Sequence, residues 1–127
     1  MRRKEFAVFL ILELIAIAWA GAVFALFTSR LLAGALAGSY FLGFGLFLLL
    51  KLWRSGEPWK WLTFYPALIH VFVITLPMLI TRWWYADQPF EQVHILGLEG
   101  PVFHKLSTYV FTGLLAATVI DLFRAKK

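Results

Sequence analysis

The chain has 127 residues, of which 61% are apolar and 15% charged, and its mean hydropathy of +0.79 excludes a soluble enzyme and a disordered tail. The net charge of +5 does not point to nucleic acid, because most of the positive residues flank apolar runs, where they orient a membrane protein. Cysteine is absent, so disulfides, thiolate metal sites and cysteine nucleophiles are excluded.

Backbone groups in lipid must be satisfied internally, by helices or by a closed barrel. The runs at 46–50 and 71–76 lack the alternation of barrel strands. A spanning helix needs about 20 mostly apolar residues, and four segments qualify, at 6–27, 31–50, 61–81 and 102–123. The expected fold is all-α: one integral membrane four-helix bundle over residues 1–127, with a long structured outer loop at 82–101.

The first span resembles a secretory signal in that Arg2, Arg3 and Lys4 precede it and Ala20-Gly21-Ala22 has small residues. Glu13 in the middle of the run argues against cleavage, so the span is expected to be retained. Its carboxyl must be neutral, paired or open to water, since an isolated charge at such depth is costly. The turn Thr28-Ser29-Arg30 is short.

The second span is rich in small residues, which let helices approach closely in lipid. Gly34 and Gly38 form a G-x-x-x-G pair, and Ala35, Ser39 and Gly43 continue a neighbouring stripe. The first span offers Ala18 with Ala22 and Gly21 with Ala25. These residues are expected to close the first two spans into a tight hairpin; the alternative is an outer face for a second copy or a partner helix. The following loop, 51–60, carries a Ser-Gly-Glu-Pro turn.

On the third span Thr63, Pro66, His70, Pro77 and Thr81 fall within about 40° of one line at 100° per residue. This polar, proline-bearing stripe is expected to face protein or water. Glu13 lies about 10 Å and His70 about 14 Å from the inner ends of two spans that run in the same direction, so the two are expected to form a buried pair. They are the candidates for proton or ion coupling.

In the outer loop Asp87 is positioned to cap a short interfacial helix over 89–96. Glu91 and His94 form a Glu-x-x-His unit, which with Glu99 and His104 nearby has the donor types for one zinc or copper ion. An intrachain haem is excluded by depth: His70 lies roughly 16 Å and His104 roughly 3 Å from the outer ends of their spans, whereas axial ligands share one iron. A haem shared between subunits, or a quinone at His70, is the remaining alternative, and no cofactor is expected. In the fourth span the Thr108 and Thr112 hydroxyls are expected to bond their own helix or a neighbour, and Asp121 beside Arg124 to form a solvated anchoring pair.

Arg2, Arg3, Lys4, Lys51, Arg54, Lys60, Arg124, Lys126 and Lys127 lie on one side of the four-span arrangement, and Arg30, Arg82 and Lys105 on the other. That bias places both termini in the cytoplasm, with a bacterial inner membrane as the expected setting. Trp53, Trp59 and Trp61 mark the inner boundary, and Trp83, Trp84 and Tyr85 the outer one. No phosphate-binding glycine loop, Ser-His-Asp set or H-E-x-x-H is present, so no enzymatic activity is expected. One acidic residue in the first span of a short four-span chain resembles the small multidrug-resistance transporters, but the outer loop and the charge bias depart from them, and no residue role is taken over.

The functional expectation is a non-enzymatic accessory or assembly subunit whose partners are the bilayer and either another membrane protein or further copies of itself. The alternative is an oligomeric transporter or channel coupled through Glu13 and His70; a third reading is a subunit that handles a metal or redox cofactor.

Overall fold

In this computed structural model residues 1–84 and 92–126 are described, with Arg30 and Leu31 described in their backbone only. The first helix, α1 (Arg3–Leu26), opens where Glu5 Oε2 accepts the backbone N–H of Arg2 at 3.0 Å. After a short turn, Ser29 caps α2 (Arg30–Arg54), its hydroxyl oxygen accepting from the Leu32 N–H at 3.2 Å. α2 continues past position 50, because Leu52 packs fully into the core while Lys51 and Arg54 offset the helix dipole. It stops at Gly56, whose φ of +91° favours glycine.

A 3₁₀ turn at Pro58–Lys60 leads into α3 (Phe64–Trp84), which starts and ends three residues later than the expected 61–81 span. Within α3 the segment His70–Thr75 is π-helical. Pro77 supplies no N–H to the preceding turn, and the Leu76 N–H bonds back five residues to the Val71 carbonyl. The last helix, α4 (Gly100–Arg124), has proline in its first turn, where a missing N–H costs nothing.

Within the described part of the segment expected to be an interfacial helix, 92–96, His94–Ile95 forms a strand instead. β1 (His94–Ile95) pairs antiparallel with β2 (Leu98–Glu99), with His94 opposite Glu99 and Ile95 opposite Leu98. Leu96 and Gly97 both have positive φ, 52° and 83°, as a tight two-residue hairpin turn demands. Val93 and Ile95 alternate with exposed Gln92 and His94, and both are buried against Ile74 and Phe103, with Met78 and Val110 alongside. The hairpin therefore plugs the end of the bundle between α3 and α4, and the connection left between those helices is shorter than 82–101.

The four helices are long and apolar enough to cross a membrane, with mean hydropathies of 2.4, 1.8, 1.9 and 1.6 in chain order. Each packs on its neighbours in sequence and α4 closes the ring on α1, so α1 and α3 face each other only across the diagonal. Phe6, Phe9, Phe44, Leu48, Leu52, Trp61 and Leu114 fill the core toward the end that carries both termini. There the Arg3 N–H donates to the Lys126 carbonyl at 2.8 Å and Arg3 Nε to the Leu122 carbonyl at 3.1 Å. Large apolar side chains such as Ile11, Leu14, Phe72 and Tyr109 project outward from the bundle.

Candidate functional site

Three groups of interior side chains and one outer helix face are the candidates. The first group centres on Glu13, which is fully buried on α1. Its Oε1 lies 2.6 Å from the hydroxyl of Thr118 on α4, and that same hydroxyl lies 2.8 Å from the carbonyl oxygen of Leu114. Glu13 Oε2 is buried with no hydrogen-bond partner among the described residues. The expected Glu13–His70 pair does not form, because the carboxyl is committed to α4 and His70 stands across the diagonal. Their partners on α4, Thr118 and Phe111, are separated by roughly 10 Å of helix rise.

His70 is 5% exposed and is walled by Phe41 of α2 and Phe111 of α4, with ring centroids 5.4 and 5.5 Å away. Its Nδ1 lies 3.2 Å from the Thr75 hydroxyl. In a regular α-helix positions five apart diverge by about 140°, so it is the π turn that lays Thr75 over His70. Of the stripe seen in the sequence, Thr63 and His70 are buried, whereas Pro66 before the π turn and Pro77 and Thr81 beyond it are half-buried. Thr75 enters the interior beside them.

Asp121 departs from expectation most. Instead of a solvated anchor it is fully buried, and its Oδ2 accepts both the backbone N–H and the hydroxyl of Thr63 at 2.7 Å each. Thr63 is the N-cap of α3, at the helix end where a carboxylate also complements the dipole. Arg124 Nη1 donates to Oδ1 at 3.1 Å, and its guanidinium lies over the Trp61 ring. One acidic side chain thus joins the start of α3 to the end of α4.

The small residues of α2 divide into two faces. A Cβ at Gly38 would collide with Leu79 of α3, and one at Gly45 would come within 2.5 Å of Val71 Cγ2. The close contact of α2 is therefore with α3. Contact with α1 runs instead through Trp19, Tyr40, Phe9 and Phe47: Trp19 Nε1 donates to the Leu36 carbonyl at 3.4 Å and the Tyr40 hydroxyl to the Leu12 carbonyl at 3.3 Å. The expected small-residue hairpin is thus replaced by an aromatic one, because large rings on α2 occupy the seam. Gly34 and Gly43 would admit a Cβ into open space and Ser39 is exposed. Gly43 lines an apolar groove of about 500 Å³ with Val8, Leu12, Tyr40, Phe44 and Phe47. Ala35 and Ser39 line another of about 370 Å³ with α3 residues from Leu79 to Trp84.

Of the outer-loop candidates, His94 and Glu99 are exposed cross-strand partners and His104 is exposed on α4, where its carbonyl accepts from the Ser107 and Thr108 hydroxyls. Glu91 lies outside the described residues. Among the described residues no three His, Asp or Glu side chains converge as a ligand set. Thr112 bonds the Thr108 carbonyl at 2.8 Å, as the sequence implies.

Comparison with known proteins finds no matching family model, no matching curated protein and no matching solved structure.

Proposed function

We propose that the protein is a non-enzymatic accessory or assembly subunit of a membrane complex, inserted by its four helices with both termini in the cytoplasm. One observation carries this reading: Ser39 and Gly43, one turn apart on α2, are both exposed, and a Cβ at Gly43 would meet open space. In lipid, where little hydrophobic force acts between helices, such a face is suited to a second helix at close range. The orientation rests on the cationic end, where Lys4, Lys51 and Arg54 are exposed on the side of the termini, and the setting we assign is a bacterial inner membrane. Affinity isolation in mild detergent tests the reading. A foreign membrane protein at fixed stoichiometry is the expected result, lost in a Gly43→Leu variant that stays folded. Isolation of this chain alone contradicts it.

A second reading, proton or cation coupling in an oligomer, draws on the buried, unpartnered Oε2 of Glu13. Its test is flux through liposomes: a pH-dependent flux that Glu13→Gln abolishes supports it, and no flux from folded wild-type protein counts against it.

A further inference from the structure

Thr118 Oγ1 stands between two oxygens, Glu13 Oε1 at 2.6 Å and the Leu114 carbonyl at 2.8 Å. A threonine hydroxyl owns a single hydrogen. Were Glu13 a carboxylate, both neighbours would be acceptors and that hydrogen would have to serve two short contacts, with a buried charge left over. A proton on Oε1 removes the conflict. The acid O–H then donates to Thr118 Oγ1, the threonine O–H donates to the Leu114 carbonyl, and each oxygen pair has its own hydrogen. The 2.6 Å separation lies in the range of an O–H···O bond, and the threonine back-bond to a carbonyl four residues earlier is the ordinary helical one. The remaining atom, Oε2, becomes the carbonyl oxygen of a neutral acid, whose lack of a partner costs far less than that of an ionised one.

Among the described residues none is seen to supply Glu13 with a counter-charge. Lys60 pairs with Glu57 and Arg124 with Asp121. On α4, the nearest acidic group, Asp121, is occupied by Thr63 and Arg124. On α2, Tyr40 donates to the Leu12 carbonyl, and on α3, across the diagonal, His70 is taken by Thr75. We infer that Glu13 is a proton-binding site: its carboxylic acid proton is the bolt that fastens α1 to α4 through Thr118. The inference stands apart from the partner-binding reading of α2, since it concerns a seam wholly inside the chain.

The test is an infrared spectrum of the full chain in phosphatidylcholine liposomes at neutral pH, with glutamate labelled in its side-chain carboxyl carbon. A protonated-acid carbonyl band that shifts with the label, is missing in Glu13→Gln and moves in Thr118→Val is expected. Glu13→Gln should keep the wild-type melting midpoint, because its amide also donates to Thr118, whereas Thr118→Val should lower it. Should Glu13→Gln fail to fold, the label and Thr118→Val still decide. A labelled spectrum with only ionised glutamate bands overturns the inference, as does a band unchanged in both folded variants.

Discussion

Thr63 gives both of its donors, the backbone N–H and the side-chain hydroxyl, to one oxygen of Asp121, each at 2.7 Å. The pair ties the start of α3 to the last turns of α4, and Arg124 closes it from outside at 3.1 Å. Replacing Asp121 by alanine strands two buried donors, and the loss expected is about 3 kcal/mol. Thr63→Val keeps the backbone bond and removes one hydrogen bond, with an expected loss of about 1 kcal/mol. Denaturant unfolding in detergent micelles measures both, and equal losses would separate the hydroxyl from the role given to it.

The two faces of α2 predict opposite responses to the same small change. Gly45→Ala forces a methyl against the β-branched Val71 of the π segment and should cost about 1–3 kcal/mol. Gly43→Ala enters open space and should leave the isolated chain within about 0.5 kcal/mol of wild type. Melting curves of the two variants side by side decide, and a Gly43→Ala variant as damaged as Gly45→Ala would place that face inside the chain.

Leu96 holds a φ of 52° in the hairpin turn, a conformation that costs an ordinary L-residue roughly 1–2 kcal/mol and that asparagine and glycine adopt readily. Leu96→Asn is therefore expected to raise the melting midpoint. Ile95→Ala, which empties a fully buried position, should lower stability by about 2–4 kcal/mol. A Leu96→Asn variant that melts lower than wild type would mean that the exposed leucine side chain contributes contacts of its own.

Reporters fused at the C-terminus and inserted after Gly56 are expected to report cytoplasm, and one inserted at Gly97 the opposite compartment, in keeping with the cationic end that carries both termini. A cytoplasmic signal at Gly97 would contradict four crossings.

Much of the fold is legible in the chain because four apolar runs are each long enough to cross a membrane, and each forms a helix. Less legible is which side chains meet. Depth along a span is readable for Glu13 and His70, yet helices joined by short turns neighbour each other in order, so the first and third face across the diagonal and Glu13 turns to α4 instead. Asp121 looks like an interfacial anion because its use depends on where α3 begins, and Thr63 reaches it only in the assembled bundle. The hairpin does leave a signal, the alternation of Val93, His94 and Ile95, but over so few residues it competes with a helical reading. The π segment has no periodicity of its own; Pro77 and the five-residue spacing of His70 and Thr75 are its only marks.

Whether the outward face of α2 receives a helix from another membrane protein is tested most directly by placing a photo-crosslinking amino acid at Ser39 and irradiating intact membranes. A covalent adduct with one foreign integral membrane protein, diminished when Gly43 is replaced by leucine, is the expected result. An adduct only with lipid or with a second copy of this chain would contradict it.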